Sequence, residues 1–118
     1  MVKLRNNKIE ERAVKYVLEK LGNGAKDVRD QRCGYDIKYR DKIIEVKGTQ
    51  SLNWKQNIFF SRSQEYAVWE NNKNKYILYR VYNIKKYGKA IKDKKILGKY
   101  LEPKEDPRWS VKIKKGNY

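Results

Sequence analysis

A chain of 118 residues, 39% of them apolar and 37% charged, fits one domain around a single core and is too rich in hydrophobic residues for wholesale disorder. Thirty Lys and Arg against fourteen Asp and Glu leave a net charge of +16. That excess calls for an acidic partner, first of all a polyphosphate, although a lysine-rich composition alone gives the same sum.

With no histidine anywhere, serine-histidine triads, histidine-metal nucleases, histidine-pair ribonucleases and the usual zinc sites are excluded. Carboxylates and lysine remain as the reactive groups. The lone Cys33 forms no intrachain disulfide. No run approaches the ~20 apolar residues of a membrane span, and MVKLRNNKIE lacks the apolar stretch of a secretory signal. A soluble cytoplasmic or virion-associated protein without membrane contact is the expectation.

The first predicted element is a helix over 8–21, where Ile9, Ala13, Val14, Val17, Leu18 and Leu21 recur at three- and four-residue spacing. Asn6 or Asn7 is its expected cap, Glu10 and Glu11 lie in its first turn, and Gly22 is its expected stop. Val28 suggests a short strand around 26–30. Firmer strands at 35–40 and 42–47 are joined so tightly around Arg40 and Asp41 that they must form an antiparallel hairpin, begun by Gly34 and ended by Gly48.

Residues 51–56 read as a polar loop, and 57–60 as a short strand or apolar loop. Ser61 and Gln64 match the capping box of a second helix, populated by Tyr66, Ala67, Val68 and Trp69 and ended within 71–75. The β-branched and aromatic run 76–82 predicts a largely buried strand. Beyond Asn83 the chain turns basic: residues 85–118 hold twelve basic and four acidic side chains, half the net charge. Short strands are expected there at 96–101 and 109–113, separated by Pro103 and Pro107. The whole reads as one domain over 1–118, a core of about 8–82 followed by a basic C-terminal extension from about 84.

Within the 42–47 strand, alternation sends Glu45 and Lys47 to one face and Ile44 and Val46 to the other. The tight hairpin sets Asp36 opposite the Glu45–Lys47 end. Two carboxylates at that spacing, with the Val46 carbonyl between them in the chain, form a hard oxygen site suited to Mg²⁺ or Mn²⁺. Lys47 beside them can stabilise a nucleophile or developing negative charge. An ordinary cross-strand ion pair has the same spacing.

In GYDIKYRDKIIEVKGT, a strand-borne Asp precedes a hairpin turn and a strand that ends in E-V-K, followed by a small hydroxyl residue. This pattern resembles the core of the PD-(D/E)xK nuclease superfamily, with Tyr35 standing where the motif names a proline. A closer similarity is to the No Vein C-terminal nuclease-like domain family. There GYDI, an E-V-K strand, a serine-rich helix start and an L-Y-R-V strand follow in the order of GYDI, IIEVKGT, FFSRSQEYA and YILYRVYNI here.

The resemblance, over roughly 8–82, implies an α/β restriction-endonuclease-like core, α-β-β-β-α-β, with a mixed central sheet flanked by helices. It implies a metal-dependent endonuclease hydrolysing DNA phosphodiesters: Asp36, Glu45 and Val46 hold Mg²⁺ or Mn²⁺, and Lys47 assists the nucleophile or stabilises charge. As in archaeal Holliday-junction resolvases, a glutamate from the first helix completes the site; Glu11 matches by position, with Glu10 the alternative. Cleavage of two strands in the resolvase manner implies a homodimer.

Gln64 and Glu65 are candidates to orient substrate or water, although capping also accounts for them. Thr49, Gln50 and Ser51 are placed to contact phosphates, as is any polar loop after such a strand. Trp54 and Trp109 are candidates to stack on bases, while Trp69 is better explained by core packing. Lys85, Lys86, Lys112, Lys114 and Lys115 form a nucleic-acid footprint or a solvated charge run. The competing expectations are an inactive nuclease-fold module that binds DNA or RNA, and a small structural or viral accessory protein whose charge reflects composition.

Overall fold

The computed structural model describes residues 4–55, 58–60, 62–85, 91–105 and 108–114. Helix α1 spans Asn6–Leu21 and starts from Arg5, with no side chain capping it. Neither Asn6 nor Asn7 is therefore the cap, and Glu10 and Glu11 fall beyond the first turn. Gly22, at φ 73°, ends the helix by donating its N–H to the Leu18 carbonyl at 3.0 Å, a backbone region that favours glycine.

Strand β1 is Ala25–Asp27, earlier than the expected 26–30, because Val28 turns inward and Arg29–Gln31 form a 3-10 turn. The expected hairpin is present as β2, Ile37–Tyr39, and β3, Lys42–Gly48, turned at Arg40 with φ 55°. Then come β4, Ile58–Phe59, helix α2, Ser63–Asn71, and β5, Tyr76–Tyr82, the last with the bounds its apolar run predicts. Ser61 lies outside the described residues. Helix α2 starts from Arg62 without a side-chain cap, and Gln64 instead donates its amide to the Arg32 carbonyl at 3.0 Å.

The basic C-terminal segment is no loose extension. Its first strand, β6 at Lys92–Leu97, joins the main sheet, whose order is β1-β2-β3-β5-β6. In this mixed sheet β3 and β5 run parallel, and all other neighbours are antiparallel. The remaining strands, β7 at Leu101–Lys104 and β8 at Ser110–Ile113, form a second sheet of order β4-β8-β7. Ile96, Leu101 and Val111 are buried while Lys94, Lys95 and Lys112 face solvent, so the lysines coat strands that are apolar on one side. Pro103 sits within β7, an edge strand, where its missing N–H costs no ladder bond on the open side.

Alternation along the central strands divides the core in two. Ile44, Val46, Ile77, Tyr79 and Val81 pack on Ala13, Val14 and Val17 of α1. On the opposite face Tyr76, Leu78 and Ile96 pack on Ile58, Phe60, Trp69, Leu101 and Val111. Each fully buried aliphatic side chain contributes about 1.5–3 kcal/mol. Trp69 is core, as its helical position suggests, and donates its indole N–H to the Gly98 carbonyl at 3.0 Å.

Helix α1 approaches β3 closely at Gly48, where a Cβ would lie 2.9 Å from Ile9 Cγ2 and 3.0 Å from the Ala13 Cβ. Among the described residues no helix is long and apolar enough to cross a membrane.

Candidate active site

Because Ile44 and Val46 are drawn into the α1 core, Glu45 and Lys47 must face the other side of β3. The β2–β3 register pairs Ile37 with Ile44, so Asp36, one residue before β2, falls opposite Glu45. With β2 ended there, the Val46 N–H donates to Asp36 Oδ2 at 2.8 Å. The Val46 carbonyl projects to the same side of the strand, toward the edge that β2 has left open.

Glu45 is only 1% exposed, and its Oε2 has no hydrogen-bond partner. The nearest cation is Lys47, its Nζ 4.0 Å from that oxygen and 5.8 Å from the centre of the Phe60 ring. Burial pushes the Glu45 carboxyl well above the usual carboxylate range, and neighbouring Asp36 adds to this through hydrogen bonding and charge, with Lys47 opposing.

These groups line a cavity of about 550 Å³. Its rim includes Glu10 from α1, Thr49 after β3, Glu65 from α2 and Phe59 from β4, the last 41% exposed. Arg80 of β5 also lines it, as the register partner of Lys47. The Arg80 guanidinium donates through Nε to the Trp54 carbonyl at 3.1 Å, and burial lowers its pKa to about 10, still protonated at neutral pH.

Asp36, Glu45, Val46, Lys47 and Thr49 are therefore brought together as the sequence suggests. Glu11 is not with them: it lines a separate depression with Asp27, Arg29 and Asp30, while its neighbour Glu10 faces the cavity. Adjacent helical residues point about 100° apart, and the contact of α1 with Gly48 sets which one turns inward. Gln50 also lies off the cavity, its Oε1 accepting the Leu4 N–H at 2.8 Å. Gln64 faces an adjoining cavity.

Lys112 pairs with Glu102 at 3.4 Å on the small sheet, and neither it nor Lys114 lines the main cavity. Lys86 and Lys115 lie outside the described residues, and Lys85 is exposed with its carbonyl accepting from Arg12. Trp54 and Trp109 are half-buried, Trp54 beneath the ammonium groups of Lys55 and Lys94 and Trp109 beneath Arg108.

Arg80 is the cavity residue that sequence reasoning missed. One charge inside a seven-residue apolar strand was the available signal, but its neighbour across a parallel pairing is set by the fold.

Among the described residues no three Cys, Asp or Glu side chains are grouped closely enough to form a metal cage. The donor set is instead two carboxylates and a strand carbonyl. Glu45 Oε2, buried beside Asp36 with no hydrogen bond and with the Lys47 ammonium 4.0 Å away, belongs to a pair of adjacent carboxyl groups that a divalent cation fits once Glu45 has given up its proton.

Fold and cavity together define a small mixed α/β domain whose central sheet presents two carboxylates and two cations in one cleft. The sequence model of the family described as Protein NO VEIN, C-terminal, matches residues 9–93, and the chain belongs to that family. The matched span contains Glu10, Asp36, Glu45, Lys47, Glu65 and Arg80, the charged residues of the cavity. No curated protein and no solved structure matches the chain.

Proposed function

We propose that this domain is a metal-dependent nuclease that hydrolyses phosphodiester bonds, with DNA as its substrate and the cytoplasm as its place of action. The observation that carries the reading is the Glu45 carboxyl, its Oε2 buried without a hydrogen bond beside Asp36 and Lys47 at an open cavity. Apart from β4, which belongs to the small sheet, the succession α1, β1, β2, β3, α2, β5, with its mixed sheet between the two helices, supports a restriction-endonuclease-like core.

Asp36, Glu45 and the Val46 carbonyl would hold Mg²⁺ or Mn²⁺. Such an ion, when bound, supplies Lewis-acid polarisation of a phosphoryl oxygen. The chain's own groups do the rest. Lys47 and Arg80 stand on one face to receive the phosphate and the charge that grows on it during attack. Glu10 replaces Glu11 as the helix-borne acid, placed to orient a water or accept its proton. Thr49 offers a hydroxyl at the rim, although its Oγ1 also accepts the Ser51 N–H at 3.2 Å. The positive net charge favours encounter with nucleic acid, and a two-fold dimer would present two such clefts to paired strands.

The test is cleavage of duplex, single-stranded and branched DNA, and of RNA, with Mg²⁺ or Mn²⁺, comparing wild type with Asp36→Asn, Glu45→Gln and Lys47→Ala. Metal-dependent cleavage lost in all three variants is the expected result. Activity that survives them assigns the chemistry elsewhere. Salt-sensitive binding with no cleavage, unchanged by metal or by Glu45→Gln, identifies an inactive binding module instead.

A further inference from the structure

A second cavity, of about 270 Å³, adjoins the first. The two share Glu10, Asp36 and Glu65 as a common wall. Every charged side chain that lines the second cavity and not the first is an arginine: Arg29, Arg32 and Arg62. Arg29 is held by a fork of bonds to Asp27, with Nη2 2.7 Å from Oδ2. Among the described residues, neither the Arg32 nor the Arg62 guanidinium has an ion-pair partner.

The loop that carries Arg29 and Arg32 is built rather than loose. The Val28 N–H donates to the Asp36 carbonyl at 2.9 Å, and the Gln64 amide holds the Arg32 carbonyl at 3.0 Å. Gly34, at φ 86°, lies so close to α2 that a Cβ would sit 2.8 Å from Val68 Cγ2. Arg32 itself is kept at φ 52°, the left-handed region that residues with a Cβ rarely occupy. Such strain persists only where the surroundings hold it, and here those surroundings aim basic side chains at a hollow beside the carboxylates.

We propose that this cavity is a phosphate-binding subsite. Resting on the nuclease reading above, its ligand is a phosphate of the substrate next to the one being cleaved. Guanidinium groups grip phosphate oxygens in two-pronged hydrogen bonds, and unpaired arginines set against a wall of carboxylates distinguish a phosphate end of the site from a cation end. Substrate would then lie across both cavities, with the scissile group over Asp36 and Glu45 and a neighbouring phosphate against Arg32 and Arg62. The group held is either a backbone phosphodiester or a terminal phosphate monoester, the shared chemistry being the phosphoryl oxygens.

The experiment is done in chelator, so that binding is read apart from cleavage. Oligonucleotides with 5′-phosphate and 5′-hydroxyl ends are titrated into wild type and into the double variant Arg32→Gln, Arg62→Gln, with Lys75→Gln, at an exposed position that lines neither cavity, as a remote control. In parallel, inorganic phosphate is titrated into wild type while the Arg32 and Arg62 Nε–H resonances are followed by NMR, against chloride at equal ionic strength.

Expected are saturable shifts of both resonances with phosphate alone, affinity at least about tenfold weaker in the double variant, and a salt slope lower by roughly one. A preference for the 5′-phosphate that the variant abolishes identifies a terminal monoester; equal loss for both ends identifies a backbone phosphodiester. Wild-type affinity in the double variant, or resonances that move no further with phosphate than with chloride, overturns the subsite. Saturable phosphate shifts in a protein that cleaves nothing with Mg²⁺ or Mn²⁺ leave the subsite standing and sink the nuclease reading alone.

Discussion

Lys47 and Arg80 are register partners on the parallel strands β3 and β5, so two cations stand abreast on the face that carries Glu45. Like charges so placed repel unless an anion lies between them, which is how a phosphate would be drawn over the carboxylates. The Arg80→Met substitution keeps much of the side chain's volume and removes its charge. It is expected to lower kcat on an oligonucleotide by about 10²-fold, the cost of losing one preorganised donor to a developing oxyanion. Arg80→Lys should recover only part of that, because an ammonium lacks the guanidinium fork.

Glu45 ties the site to pH. Its raised pKa means that, above the ordinary carboxylate range and up to the raised value, the folded chain holds a proton that the unfolded chain has released. Stability contributed by this group therefore falls as pH rises through that window. In chelator, Glu45→Gln is expected to stabilise the protein at neutral pH by ~1–3 kcal/mol, the scale of an unsatisfied buried group. The gain should shrink toward pH 4, as urea unfolding at both values would show. Mn²⁺ should raise the unfolding midpoint of wild type more than that of the variant. Equal midpoints across pH in both proteins would remove Glu45 as the titrating group.

The two glutamates of α1 make a paired test. Glu10→Gln is expected to reduce cleavage by about 10²-fold or more, the scale of a general acid–base group, while Glu11→Gln leaves it unchanged. The reverse pattern in the same assay would return the role to Glu11.

Gly48→Ala probes how the helix is held. Its added Cβ would crowd Ile9, Ala13 and Ile84 at 2.9–3.0 Å. A loss of about 1–3 kcal/mol is expected from overpacking, with a fall in activity as the helix that bears Glu10 is pushed from the cleft. Unchanged stability in thermal melts would mean that α1 shifts without cost.

Much of this architecture is legible because strong patterns decide it locally. The run from Tyr76 to Tyr82 admits only a buried strand, and the turn at Arg40 and Asp41 leaves no room for anything but a hairpin. The same alternation that buries Ile44 and Val46 delivers Glu45 and Lys47 to the opposite face. What was not legible depends on contacts far away in sequence. The cap preference of Asn6 and Asn7 gives way to an uncapped start at Arg5. The choice between Glu10 and Glu11 follows from the rotation of α1 against Gly48. In the basic tail the strand expected at 109–113 is present as β8, but the one expected at 96–101 is split by the turn at Gly98–Tyr100 into the end of β6 and the start of β7, and most of β6 is hidden because little besides Ile96 is apolar in a lysine-coated strand. The cavity role of Arg80 needed the parallel partner that only folding supplies.

The pairing of β4 with β8 carries a consequence for how the cleft comes into being. Phe59, at its rim, and Phe60, beneath Lys47, belong to or follow a two-residue strand that pairs with β8 alone among the described residues. The Phe60 N–H itself donates to the Trp109 carbonyl at 2.9 Å. During synthesis the carboxylates and both helices emerge well before this brace exists, and contacts so distant in sequence close slowly. The wall of the cleft at Phe59 and Phe60 would thus be completed only after Ser110–Ile113 has been made, although β8 lies beyond the segment that marks the family.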